Sequence, residues 1–74
     1  MAPTTDGFGV RLRAAREAKE LTQEDVARRL DVGLRVYQRW EHGQSTPRGD
    51  TLVRLASTLG TTAEDLFPVA PAAA

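Results

Sequence analysis

Only three or four residues, around Asp31-Val-Gly33, separate two stretches that each carry a helical signature. The first opens at Thr22-Gln-Glu-Asp25. A threonine followed three residues later by an acid is the capping-box pattern, in which the two side chains satisfy backbone amides at a helix start. Its apolar members, Val26, Ala27 and Leu30, recur at helical spacing. The second stretch runs from about Gly33 to His42 and stops at Gly43, the residue type that most readily takes the left-handed conformation of a helix end. So short a link leaves no chain to lay the two helices side by side, and they are expected to cross at a steep angle.

The remaining segments also read as helices. Phe8, Leu12 and Ala15 fall at i, i+4 and i+7 and predict a helix over Phe8 to Lys19, with Arg11, Arg13, Glu17 and Glu20 on its wet side. Within 33–42, Val36, Tyr37 and Trp40 are assigned to the inner face. Gln44-Ser-Thr-Pro-Arg48 reads as a loop punctuated by Pro47. Leu52, Leu55, Ala56 and Leu59 form the apolar stripe of a fourth helix ended by Gly60. Thr62-Ala-Glu-Asp65 repeats the capping pattern and starts a short fifth helix closing on Leu66 and Phe67. No segment alternates like a strand. The expectation is one all-α, five-helix domain over residues 7–67, with a flexible segment at 1–6 and a flexible tail at 68–74 that have little to bury.

A chain of 74 residues buries only about 60% of its unfolded surface, so small domains often lean on disulfides, metals or oligomerisation. Cysteine is absent, and the single histidine, His42, cannot hold a metal alone. Catalysis lacks material too. There is no thiol nucleophile and no glycine-rich phosphate loop, and the acidic pairs Glu24-Asp25 and Glu64-Asp65 sit in helix first turns, where they complement the dipole. No enzyme activity, metal, cofactor or small-molecule ligand is expected. Met1 to Gly7 has neither a basic start nor an apolar run, and no stretch approaches the ~18 apolar residues of a membrane span. A cytoplasmic protein is expected.

Net charge is zero, with ten basic and ten acidic side chains, which argues against broad attraction to phosphate. The distribution is uneven, however. From Arg28 to Arg48, five arginines (28, 29, 35, 39 and 48) face only Asp31 and Glu41. One face can therefore be basic while the whole is neutral.

The stretch Leu21-Thr-Gln-Glu-Asp-Val-Ala-Arg-Arg-Leu30, then Val32, then Arg39-Trp-Glu-His-Gly43, resembles the phage-repressor-type helix-turn-helix family, which includes lambda repressor, Cro and the xenobiotic-response-element regulators. Pro47, Leu52 to Gly60 and Glu64-Asp-Leu-Phe67 continue the match in order. The resemblance implies a sequence-specific, DNA-binding transcriptional regulator whose third helix enters the major groove of double-stranded DNA. Bases would then be read from Leu34, Arg35, Gln38 and Arg39 at the start of that helix. Arginine grips guanine through O6 and N7, glutamine pairs with adenine, and leucine touches a thymine methyl. Leu34 departs from the polar residue that relatives often place there.

Phosphate contacts are assigned to Thr22 and Gln23 at the start of the second helix, and to His42 and Arg48. Gln23 stands where the family uses glutamine to hold the DNA backbone or a neighbouring base-reader, Thr22 doubles as a cap, and His42 is equally suited to finishing the carbonyls of the third helix. Arg16 and Glu41 match a pair that forms an inter-helix salt bridge in relatives. Tyr37 stands where isoleucine or valine is usual and needs a partner for its hydroxyl or an exit to solvent. Gly33 replaces the usual capping serine or threonine, a loss of a few tenths of a kcal/mol. A homodimer placing two recognition helices one DNA turn apart would supply the contacts one small domain lacks, with Leu66 and Phe67 as candidate dimer contacts and Phe67 equally suited to the core. The alternative is a protein-binding helix-turn-helix module, such as an antitoxin or a regulator-docking domain, since a fold does not fix its function.

Overall fold

The structure is a computed structural model that describes residues 4–66, with side chains from Gly7 onward. It contains α1 (Thr4–Ala18), α2 (Gln23–Leu30), α3 (Leu34–Glu41), α4 (Gly49–Thr58) and α5 (Ala63–Leu66), and no strand among the described residues. No described helix is long and apolar enough to cross a membrane.

The first four helices end in the same way. A residue in the left-handed region follows each one: Glu20 at φ 58°, Asp31 at 59°, Gly43 at 74° and Gly60 at 69°. The residue after it donates its amide back to a carbonyl five positions earlier, as in Val32 to Ala27 at 3.0 Å and Gln44 to Arg39 at 2.9 Å. This paired closure satisfies carbonyls that the helix leaves open. Gly43 and Gly60 advertise it in the sequence. Glu20 and Asp31 do not, because a residue with a Cβ normally avoids that conformation.

The starts differ. Thr22 Oγ1 accepts from the Asp25 amide at 3.0 Å, and Asp25 Oδ2 accepts from the Thr22 amide at 2.9 Å, completing the expected box. Thr62 Oγ1 likewise accepts from the Asp65 amide at 3.1 Å. Gly33 and Arg48 precede α3 and α4 with no side-chain cap. Phe67 lies outside the described residues.

Helix α1 begins at Thr4, four residues before the expected Phe8. The apolar stripe that signals the helix starts only at Phe8, and Gly7 and Gly9 argue against a helix by propensity. The reason for one of these glycines lies in α3. A Cβ on Gly9 would stand 2.4 Å from the carbonyl oxygen of Glu41 and 3.1 Å from that of Trp40. The two backbones meet there, and only hydrogen fits between them.

The core gathers Phe8 and Leu12 from α1, Val26, Ala27 and Leu30 from α2, Tyr37 and Trp40 from α3, Leu55, Ala56 and Leu59 around α4, and Leu66 from α5. Tyr37 and Trp40 meet edge to face, with ring centroids 5.9 Å apart. Helix α3 rests on α1 and α2, α4 on α2, and α5 against α1 and α4. Val36 corrects the inner-face assignment. It is 43% exposed, because a helix of eight residues resting on two neighbours buries only the stripe holding Tyr37, Trp40 and Glu41, and Val36 turns past its edge.

Candidate functional site

The inner side of α3 is anchored by one carboxylate. The Glu41 side chain is only 3% exposed and faces Arg16, 12% exposed. Arg16 Nε donates to Glu41 Oε2 at 2.6 Å and Nη2 donates to Oε1 at 3.2 Å, a two-point grip. The third nitrogen, Nη1, donates to the Leu21 carbonyl at 2.9 Å. The Tyr37 hydroxyl donates to Glu41 Oε2, which supplies the partner that a buried tyrosine requires. Gln23 Nε2 donates to Glu41 Oε1 at 3.0 Å. Burial pushes the Glu41 carboxyl up, but the hydrogen bonds from Arg16, Tyr37 and Gln23 outweigh it and hold the group below its ordinary value. The same bond raises Arg16, while burial first, and then the bond to Glu41, raises Tyr37.

With its inner side fixed, α3 presents an outer face. Arg35, Arg39 and His42 fall at i, i+4 and i+7 and all are exposed. Neither arginine has an ion-pair partner among the described residues. Gln38 is half-buried on the flank toward α2, where its Nε2 donates to Gln23 Oε1 at 3.1 Å. Leu34 is half-buried and packs on the core. Val36 forms the opposite edge; the helical period, extended by one position, was the signal that could have shown it outward.

The remaining named residues lie apart from this stripe. Thr22 is exposed, its oxygen engaged as a cap, and the carboxylate of Asp25 already occupies the first turn of α2. The bond from the Thr22 amide, then that from its hydroxyl, lowers Asp25 below its ordinary value. Gln23 turns inward to Glu41 and Gln38. The His42 amide, rather than its ring, closes α3 onto the Gln38 carbonyl at 3.0 Å. Arg48 is exposed at the start of α4. Sequence reasoning missed Arg54, whose Nη2 donates to the Leu30 carbonyl at 3.3 Å and ties α4 to the end of α2.

Against known proteins, a family model described as helix-turn-helix matches residues 12–66, most of the chain. The chain belongs to the phage-repressor-type helix-turn-helix family. In this helix-turn-helix, α2 and α3 are the paired helices and residues 31–33 the turn. A 26 kDa repressor protein of Escherichia phage HK022 is 49% identical over 41 residues, 55% of this chain and 17% of that protein. The chain thus matches about a sixth of that relative's length.

Among solved structures, the restriction-modification controller protein C.AhdI from Aeromonas hydrophila superposes with a TM-score of 0.78 at 32% identity, over 85% of this chain and 96% of that one. The clp gene regulator ClgR from Corynebacterium glutamicum gives 0.81 at 22% identity, over 88% and 69%, a likeness of fold. A hydroxypropylphosphonic acid epoxidase from S. wedmorenis gives 0.81 at 28% identity, but over only 36% of its chain. The likeness there takes in 90% of this chain but little more than a third of that one.

Proposed function

We propose that this chain is a sequence-specific DNA-binding domain of a transcriptional regulator, with α3 in the major groove. The observation that carries the reading is the exposed face of α3, where two arginines without ion-pair partners among the described residues stand one turn apart beside Gln38 and His42. A helix fits a major groove about 12 Å wide, and arginine and glutamine are the side chains that match guanine and adenine edges there. Neutral overall charge is no obstacle, since the excess of arginine lies on the segment that would meet DNA. The family is regulatory, and no catalytic role is assigned; cytoplasmic action follows from a DNA target.

Base contact falls to Arg35, Gln38 and Arg39, with Leu34 and Val36 as apolar edges for thymine methyls. Arg48 and His42 are suited to phosphate. Thr22 acts as a cap, and Gln23 supports its neighbours from within. Binding as a homodimer, two copies of α3 about 34 Å apart, is the natural way to enlarge so small an interface. A recess of about 300 Å³ lined by Val53, Ala56, Thr61 and Ala63, with Val53 exposed beside it, supports α4 and α5 as the dimer face.

Selection of random duplex DNA, with binding of the enriched site followed against salt, tests the reading. An enriched near-palindrome that is lost on Arg35→Ala is the expected result. A folded chain that binds no duplex at low salt would overturn it in favour of a protein-binding module.

A further inference from the structure

Of the exposed large hydrophobics among the described residues, Val10, Val36 and Val53, only Val36 lies on α3, where it is 43% exposed. An exposed valine by itself needs no explanation. The neighbours of this one give it a use. At about 100° per residue, Arg35 and Arg39 straddle the centre of the outer face, with Gln38 about 80° to one side and Val36 about 80° to the other. The Gln38 edge is held by α2 through Gln23. On the opposite edge Val36 stands three residues before Arg39, so their Cβ atoms are about 5–6 Å apart. Arg39 is exposed and has no ion-pair partner among the described residues. A valine in a helix keeps essentially one χ1 rotamer, so its two methyl groups hold a fixed place on the flank of that arginine. Leu34 cannot take this place, because it packs on the core.

We infer that Val36 reads the C5 methyl group of a pyrimidine next to the guanine held by Arg39, and so makes binding respond to cytosine C5 methylation. Thymine presents a methyl group at C5 in the major groove. Cytosine carries only hydrogen at that carbon, and methylation there creates the group that thymine already has. Successive bases are about 3.4 Å apart, so side chains that neighbour each other on a helix meet neighbouring base pairs. Valine has no donor and no acceptor. It cannot tell the O4 of thymine from the amino group of cytosine, and it senses the methyl group alone. Arg39 supplies the polar half of the contact through guanine O6 and N7. The preferred ligand is duplex DNA in which thymine or 5-methylcytosine flanks that guanine, with unmethylated cytosine disfavoured in the same place. The inference rests on the DNA-binding reading above and adds to it a modified base.

The test uses the full chain as wild type, Arg39→Ala, Val36→Ala and Val36→Ile, each checked by thermal melting. Selection from random duplexes locates the guanine whose preference Arg39→Ala abolishes. Synthetic duplexes then carry thymine, uracil, 5-methylcytosine or cytosine at each pair flanking that guanine. Uracil and cytosine are the versions without the methyl group. At one flanking pair the wild type binds thymine over uracil, and 5-methylcytosine over cytosine, each by roughly fourfold, the fold-change of burying one methyl-sized group. The two ratios agree because the valine does not see what else differs between the bases. Val36→Ala removes the reaching methyl groups and brings both ratios below about twofold. Val36→Ile keeps the apolar edge and keeps the ratios. A merely structural role for Val36 would change binding of methylated and unmethylated duplexes alike and leave both ratios where they were.

Ratios near one in the wild type at both flanking pairs overturn the inference and leave the DNA-binding reading standing. So do ratios that survive Val36→Ala, which would assign the methyl preference to another group or to the DNA itself. A thymine preference without the matching 5-methylcytosine preference overturns it as well, and so does a uniform loss in Arg39→Ala, which leaves no guanine to flank. Failure of the wild type to bind any duplex overturns both readings. The comparison of the four bases needs no variant protein, so it stands whatever a substitution does to the fold.

Discussion

Replacing Gly9 by alanine should loosen the domain, although alanine is the better helix former. The added Cβ would lie 2.4 Å from the Glu41 carbonyl oxygen, whereas ordinary contact begins near 3.4 Å. Helix α1 must therefore back away from α3 by about 1 Å against backbone atoms that cannot rotate aside, an overpacking that costs typically about 1–3 kcal/mol. Gly7→Ala supplies the control. It lies in the same helix, and a methyl group there would meet nothing within 4 Å, so it gains the helix propensity alone, as much as about 1 kcal/mol. Subtracting one variant from the other cancels propensity and leaves the collision. Urea or thermal unfolding followed by circular dichroism should place Gly9→Ala below wild type and Gly7→Ala at or above it. Each kcal/mol moves Tm by about 4–8 °C in a domain of this size. Two alanine variants equally more stable than wild type would refute the close approach of α1 to α3.

Glu41→Leu should cost about 3–5 kcal/mol by leaving Arg16 buried and unpaired, while Arg16→Met combined with Glu41→Leu recovers much of it, measured as a double-mutant cycle in urea. Because the folded domain holds Glu41 below its ordinary 4.5, its stabilising share is full above that pH and is lost as pH falls through the lower folded-state value. The doubly substituted chain should therefore show a shallower acid unfolding profile than wild type below about pH 4.5. Glu20→Gly relieves a left-handed residue at φ 58° and should stabilise by about 1 kcal/mol in a thermal melt. Arg39→Ala should weaken the selected DNA site by about 1–3 kcal/mol and relax preference at one base pair; a uniform loss across sequences, with a shallower salt slope, would reassign Arg39 to phosphate.

Much of the fold could be read from the chain because its punctuation is local. The Thr22–Asp25 box, the stops at Gly43 and Gly60, and the stripe of Leu55, Ala56 and Leu59 each depend on residues within one or two turns. What escaped depends on partners far along the chain. The role of Gly9 is decided by the α3 backbone, and the Arg54 bond by the end of α2. Val36 is a matter of where a narrow buried stripe ends, which the period alone leaves open by one position. Family resemblance pointed to Arg16 with Glu41, and to Gln23 as a holder of the DNA backbone or a base-reader, but not to the bond from Gln23 back to Glu41. Two consecutive amide bonds leave no trace in spacing or hydropathy.

The carboxylate of Glu41 collects its bonds from α1 through Arg16, from α2 through Gln23 and from its own helix through Tyr37. A half-assembled chain in which α2 and α3 had docked without α1 would bury that charge with its strongest partner missing, a penalty that disfavours every such intermediate. The two helices that form the motif are therefore not a separable module. Folding should be all-or-none across the first forty or so residues, and a fragment starting at Leu21 should remain unfolded even though it keeps the whole motif.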